Sequence, residues 1–242
     1  MLLALPVFSQ QAKKTSTLSI SLGPAFATGQ FASKDFSSER SGLAKSGGTI
    51  SVSYTTFLSR QFGVSININA QHNPMDVDVL KDEFEKTFTS FTVWDFDKRS
   101  WLYASVMPGV TGQFAIDKEN KFTLVTKAMA GVAFAKSPGI SGISTISNGA
   151  ANVEQNKKSA VGFAYGAGAG ISYLINKSVF LTSLVSYNGT NKMTFKNVKT
   201  VVTSVEGTPG SGDYQAQQYM TTVNGKQTIS SVNLMVVLGL RF

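Results

Sequence analysis

The chain has no cysteine and a single histidine, His72, which excludes disulfides, zinc fingers, iron–sulfur clusters, thiol nucleophiles and multi-histidine metal sites at the outset. Charge is scarce as well. Only 15% of the residues are Asp, Glu, Lys or Arg, against about 25% in an ordinary soluble domain. Long hydrophobic runs are missing too, and nowhere do the ~20 consecutive apolar residues of a spanning helix occur. Lys and Arg together number 22 against 14 Asp and Glu, but the basic residues do not gather into a patch, so nucleic acid is not an expected partner. The 242 residues suit one domain or one closed barrel with long loops, and are too few for two enzyme domains with a linker.

What is present is a pattern of charge clusters and gaps. Charged side chains leave free the stretches 15–33, 46–59, 61–75, 100–116, 122–135, 159–176, 178–191 and 227–240, broken only by Lys127. Each is at least as long as the roughly 9 to 11 residues that a tilted strand needs to cross a bilayer. Several alternate at a period of two. Phe62, Val64, Ile66, Ile68 and Ala70 share one face, with Gln61, Gly63, Ser65, Asn67, Asn69 and Gln71 on the other. Val161, Phe163, Tyr165, Ala167, Ala169, Ile171 and Tyr173 alternate with glycine, alanine and serine, and Val232, Leu234, Val236, Leu238, Leu240 and Phe242 form a last apolar face. Pro108 and Gly109 suggest a bulge in the fourth crossing. A soluble sandwich would carry Lys, Glu and Arg on its polar face. Here that face is Ser, Thr, Asn, Gln and Gly, as in a confined barrel interior, and Lys127 falls on it.

Connections alternate in length: short at 59–61, 117–120 and 176–177, long at about 29–46, 72–99, 136–158 and 189–226. The expected fold is therefore all-β, an eight-stranded antiparallel transmembrane β-barrel with four long extracellular loops and both termini periplasmic. From Phe163 to Tyr173, ten steps at ~3.3 Å and a tilt of ~40° project to about 25 Å, the height of the apolar band. Phe62, Phe122, Tyr173 and Phe242 are expected at the periplasmic rim and Phe134, Phe163 and Tyr187 at the outer one. Residues 1–10, with the short apolar run ending Val7-Phe8-Ser9, read as the remnant of a signal peptide without a basic n-region, and 11–242 as a single barrel domain.

These features resemble the small eight-stranded outer-membrane barrels of Gram-negative bacteria, in style the PorT-like and general outer-membrane barrel proteins of Bacteroidetes. The resemblance rests on Ser9-Gln10, Gly23-Pro24, Pro108-Gly109-Val110 and the ending Gly239-Leu240-Arg241-Phe242, and covers about residues 15–242. It implies a bacterial outer-membrane location, contact with lipid and lipopolysaccharide, and a last strand with Leu238, Leu240 and Phe242 similar to the signal read by the barrel-assembly machinery. A secretion-associated envelope complex is a further implied partner.

The enzymatic solutions known on small barrels fail on residues. His72 is followed by Asn73 and Pro74, not by a serine two positions on; no Asp-Ser pair occurs; and no Asp-x-His accompanies Asp76-Val77-Asp78 or Asp95-Phe96-Asp97. These acids lack a full calcium-loop pattern, and the glycine-rich run 162–170 lacks the Lys-Ser/Thr of a phosphate loop. No catalytic residue, cofactor or metal site is expected. Eight strands enclose about enough space for their own side chains, with Phe57, Met129 and Met235 on the inner parity. The expected role is thus an anchor for surface recognition or a subunit of an envelope complex, and the competing one a narrow conduit for small apolar or amphiphilic molecules. The second long loop adds one helical period, Val77, Leu80, Phe84, Phe88 and Phe91. Asn73 is its expected cap and Pro74 its first residue. Its stripe, extended by Trp94, Phe96, Trp101 and Tyr103, is expected to face a partner protein or to form a lid on the barrel.

Overall fold

Eight strands close into an antiparallel barrel in a computed structural model that describes residues 15–35, 41–87, 93–146, 149–207 and 214–242. In chain order the elements are β1 (Ser16–Ala27), α1 (Gly29–Ala32), β2 (Gly47–Phe57), β3 (Phe62–Pro74), α2 (Val77–Thr87), β4 (Trp94–Phe96), β5 (Ser100–Ala115), β6 (Phe122–Lys136), β7 (Ile140–Ile146), β8 (Gly149–Gln155), β9 (Ser159–Leu174), β10 (Val179–Thr190), β11 (Met193–Gly207), β12 (Tyr214–Gln227) and β13 (Ser230–Arg241). The barrel runs β1-β13-β10-β9-β6-β5-β3-β2, and each of the eight charge-poor stretches supplies one of its strands. Reciprocal bonds between Ser16 and Phe242, at 2.9 and 3.0 Å, extend the closing seam between β1 and β13. No helix among the described residues is long and apolar enough to cross a membrane; the barrel crosses with strands.

The three short turns are stitched by their own side chains. Ser59 accepts from the Phe62 amide at 3.0 Å, Asp117 from Phe122 at 2.8 Å, and Asn176 from Val179 at 2.9 Å. Such local acceptors replace the ladder bonds that a reversing backbone loses. Both described chain ends, at Thr15 and Phe242, lie at this short-turn end.

Two expectations need correction here. The ladder between β3 and β5 keeps one register from Phe62↔Gly112 to Pro74↔Ser100, so Pro108 makes no bulge. It points outward, and the β5–β6 ladder merely skips positions 107 and 108 before resuming the same register at Gly109↔Met129. A proline without an N–H can only omit a rung.

The long connections are also more than loops. They fold into a second, five-stranded sheet ordered β12-β11-β8-β7-β4, reached directly from the barrel. Hairpin β11–β12 continues the β10–β13 pair and hairpin β7–β8 continues β6–β9. The junctions stay bonded: the Thr190 amide donates to Ile229 O at 2.9 Å, and the Ser137 amide to Lys158 O at 2.8 Å.

The barrel interior is filled from two sides. On β1, β2 and β3 small polar side chains bond to one another: Ser21 to Ser51 at 2.6 Å, Thr49 to Asn69 at 2.7 Å and Asn67 to Ser53 at 2.7 Å. Opposite them, the middle inward residues of β9 are glycine, beside longer inward chains on β6 in the pairs Val125↔Gly170, Lys127↔Gly168 and Met129↔Gly166. A Cβ at Gly170 would lie 2.2 Å from Ser183 O, so the glycines let neighbouring backbone approach. At the long-loop end Phe31 of α1, Trp101, Tyr103, Met107, Met193 and Phe195 form a buried apolar plug, with Trp101 edge-on to Phe31 at 5.6 Å and to Phe195 at 5.7 Å. The Trp101 indole N–H is satisfied by Gly42 O at 2.8 Å.

Candidate functional site

Three surfaces can do something: the lipid-facing wall, the upper sheet and the interior. On the wall the outward residues of β3 are Phe62, Val64, Ile66, Ile68, Ala70 and His72, all exposed, and the other barrel strands follow the same rule. Among outward positions of the barrel strands the one formal charge is Lys136, at the long-loop end of β6, where it pairs across from Leu102 and Ser159. Lys or Arg near the midplane of such a wall costs ~2 to 4 kcal/mol, which accounts for the gaps in the charge pattern.

The aromatics named from sequence all face outward: Phe62, Phe122, Tyr173 and Phe242 at the short-turn end, and Phe134, Phe163 and Tyr187 toward the other. Neighbouring strands bring rings together, Phe122 with Tyr173 at 5.0 Å and Tyr187 with Tyr165 at 6.3 Å. Phe114, packed edge-on against Phe62 at 5.7 Å, belongs to the lower group and was concealed in sequence by the irregularity around Pro108. His72 sits at the rim on the outer face, as a polar border residue. Leu238 and Leu240 are outward and exposed on β13.

Helix α2 begins later than its sequence signals suggest. Asn73 and Pro74 belong to β3, and Asn73 instead donates to Lys45 O at 2.8 Å and Ala25 O at 3.2 Å. The first helical bond is accepted by Asp76 O, from the Leu80 amide. Asp76 is therefore the cap. Its carboxylate is nearly enclosed, 3% exposed, and pairs with Lys34 at 2.8 Å and Lys45 at 3.0 Å; Lys45 also reaches Asp78 at 3.0 Å. Burial pushes the Asp76 carboxyl up, but the Lys34 and Lys45 ammonium groups overcome it and hold the carboxyl below its ordinary range. The Lys45 ammonium is held above its ordinary range by Asp78 first and Asp76 second. Of the second acidic pair, Asp97 bonds Arg99 at 2.7 Å. Asp76 and Asp78 thus tie the first long connection to the second, while the Asp97–Arg99 pair lies within the second.

Of the helical stripe expected to face a partner or to form a lid, Val77, Leu80 and Phe84 pack within the chain itself. Leu80 is 1% exposed and packs with Trp94, Phe96, Ala151 and Val153 of the upper sheet, with Val77 and Phe84 at the edge of that cluster. Phe84 meets Trp94 at 5.1 Å and Phe96 at 5.2 Å. Phe88 and Phe91 lie outside the described residues. Trp101 and Tyr103 belong to the barrel plug rather than to this stripe, so the plug is built from α1 and the hairpin bases, not from α2.

What sequence reasoning missed is strand β12. It forms one edge of the upper sheet, bonded on one side only to β11, and is exposed along residues 215–224. Tyr219 is 77% exposed, with Met220 and Val223 more than half exposed. Residues 214–225 carry no charge. Exposed edges are ordinarily blunted with charge or proline, and this one is not. The run Thr200-Val201-Val202-Thr203, β-branched throughout, was the available signal for its partner strand.

Two small cavities lie among the described residues of the interior. One, about 60 Å³, lies at the short-turn end among hydroxyl-bearing residues, Lys127 and Arg241; the other, about 10 Å³, lies further in beside Lys127, Met129 and Met235. On the outer wall near the long-loop end runs an open apolar groove of about 810 Å³, floored by Ala70 and Ala104 and bordered by Leu22, Ile50, Leu102 and Phe134.

Together these features define the class: an eight-stranded membrane β-barrel that carries a packed sheet on its long-loop end. No protein-family model matches the chain, and no curated protein matches it. Among solved structures, Neisserial surface protein A aligns with 94% of this chain and 97% of its own at 10% identity and a TM-score of 0.48. Ail, the attachment invasion locus protein of Yersinia pestis, aligns with 96% of this chain and 100% of its own at 14% identity and a TM-score of 0.46. OprG of Pseudomonas aeruginosa aligns with 95% of each at 9% identity and a TM-score of 0.38.

Proposed function

We propose that the chain is an integral protein of the bacterial outer membrane, without enzymatic activity, whose barrel anchors a recognition surface carried by the upper sheet. The observation that carries this is the charge-poor apolar wall, bordered by aromatics, joined without a linker to a sheet that presents the uncharged edge of β12. The short turns and both termini then face the periplasm, and the long connections face outward. The partner is an envelope or surface protein that adds a strand to β12, main-chain bonds giving affinity and Tyr219, Met220 and Val223 giving selectivity. The PorT-like resemblance supports a secretion-associated complex as its setting. Lipid and lipopolysaccharide surround the wall, and the barrel-assembly machinery reads Leu238, Leu240 and Phe242.

Cysteine at Thr222 should react with an impermeant thiol reagent on whole cells, and cysteine at Glu119, in the turn between β5 and β6, should not. Labelling at Glu119 alone reverses the orientation. A conduit for small apolar or amphiphilic molecules would have to displace the plug around Phe31 and Trp101. The purified protein in planar bilayers should accordingly show no large, steady conductance; a reproducible open channel would favour the conduit.

A further inference from the structure

The inner wall of the barrel has an unusual charge balance. Its inward positions include two cations, Lys127 on β6 and Arg241 on β13, and no Asp or Glu among the described residues. Neither cation makes an ion pair among the described residues. The Lys127 ammonium has one hydrogen bond, a long one of 3.4 Å to Ser53 Oγ, out of the three it can donate. The Arg241 Nε–H is buried and has no acceptor. Both side chains line the same cavity of about 60 Å³ at the short-turn end. Both residues are partly buried, and burying a cation without counter-charge is costly, so proteins normally pair or neutralise such groups.

The remaining lining is mixed. Hydroxyls of Thr17, Ser19, Thr55, Thr123, Ser172 and Thr182, groups that can donate hydrogen bonds, share the space with apolar side chains such as Phe57, Val125 and Phe180. Gly168 on β9 is the register partner of Lys127 on β6, and β9 contributes Ser172 and Leu174 to the lining. Asn120 of the β5–β6 turn and Arg241 at the end of β13 place the mouth at the short-turn end, while the apolar plug closes the far end. The cavity is a dead end lined by two cations, several hydroxyls and apolar side chains.

We infer that this cavity is a binding site for one small oxyanion of the phosphate class, held by Lys127 and Arg241 and by the surrounding hydroxyls. Charge-assisted bonds from an ammonium and a guanidinium suit a tetrahedral oxyanion, whose oxygens accept in several directions at once. A free phosphate ion and the phosphoryl headgroup of a lipid at that rim share this chemistry. The site depends on neither the β12 partner nor the direction in which the barrel is inserted, so it stands or falls separately from the proposed function.

The test uses the full chain, purified and folded in an uncharged, phosphate-free detergent, with inorganic phosphate as the probe. Equilibrium dialysis should find one saturable phosphate per chain, and Lys127→Met and Arg241→Gln should each weaken binding at least tenfold. Thermal unfolding provides the second readout. Phosphate should raise the midpoint of the wild-type protein in a saturable way, and that saturable part should vanish in both variants. Exclusion of phosphate from the protein surface stabilises any folded protein, so an equal, unsaturating rise in all three overturns the proposal. No binding to the wild-type chain by dialysis also overturns it, whether or not the variants fold. Displacement by phosphatidylglycerol in mixed micelles would identify a headgroup as the source, and failure to displace a free ion; either result upholds the oxyanion site.

Discussion

Replacing Leu80 with alanine tests whether the upper sheet is a unit with its own core. Leu80 is 1% exposed and is surrounded by Trp94, Phe96, Ala151 and Val153, with Phe84 alongside. Buried Leu→Ala substitutions cost about 2 to 5 kcal/mol, the upper part of the range applying where neighbours cannot collapse into the space. Trp94 and Phe96 are stacked at 5.8 Å and braced by Phe84, a rigid frame that leaves most of the void open. A loss of about 3 kcal/mol is expected, which is roughly a hundredfold at 1.4 kcal/mol per tenfold. Hydrogen exchange followed by mass spectrometry in detergent is the suitable assay, because it resolves opening of α2, β4 and β8 from opening of the barrel strands. Amides of α2 should exchange about a hundredfold faster, and those of β3 and β9 at their original rates. Unchanged exchange in α2 would show that Leu80 does not hold the helix down. Equal acceleration in β3 and β9 would show one cooperative unit, and would refute the separation of anchor from recognition module.

Three further outcomes follow. Asp76→Asn should detach α2 from the first long connection at a cost of about 1 kcal/mol, the upper end for an exposed pair and below that for a buried one, because Lys34 and Lys45 are 64% and 44% exposed and can return to water; proteolysis at Lys81 or Lys86 would detect it. Since the folded carboxyl is held below its unfolded value, near 3.9, its contribution is complete above about pH 4 and is lost as pH falls through the folded value, so helix protection that failed on raising the pH would contradict the assignment. Ile66→Arg, outward on β3, should destabilise the inserted barrel by ~2 to 4 kcal/mol in urea titrations on lipid vesicles, and a neutral result would place the bilayer elsewhere. Phe242→Ala should slow barrel insertion and increase degradation of unassembled chain, and normal heat-modifiable yield would remove Phe242 from the assembly signal.

The eight crossings were legible because lipid penalises charge at every outward position, leaving gaps that a reader can measure. Inner and outer faces were legible from strict alternation, including the inward placement of Lys127. The upper sheet was not. Charge does not mark its strands: β11 carries Lys196 and Lys199, whereas 137–153 and 214–225 are uncharged yet rich in Gly, Ser, Asn and Gln and lack the strict apolar alternation of the barrel strands. The helical stripe was visible but its destination was not, because Trp94, Ala151, Val153 and Val202 come from segments far apart in sequence and meet only through sheet pairing. Asn73 and Pro74 looked like a helix start on local grounds, yet the ladder to Trp101 and Ser100 kept them in a strand. Tertiary pairing outweighed a local preference of a kilocalorie or so.

The bonded junctions at Thr190–Ile229 and Ser137–Lys158 leave no tether between barrel and upper sheet. A tethered binding module samples a wide volume and must be ordered on capture, at an entropic cost that grows with its freedom. Here that cost is already met during folding, so a strand added at β12, as proposed, would meet an edge held at a set height and angle above the bilayer. The counterpart is a loss of reach: fifteen residues of β11 extend to about 50 Å at most, and a partner outside that arc, or presented at the wrong tilt, cannot be gripped. Selectivity in such a molecule is in part a matter of aim.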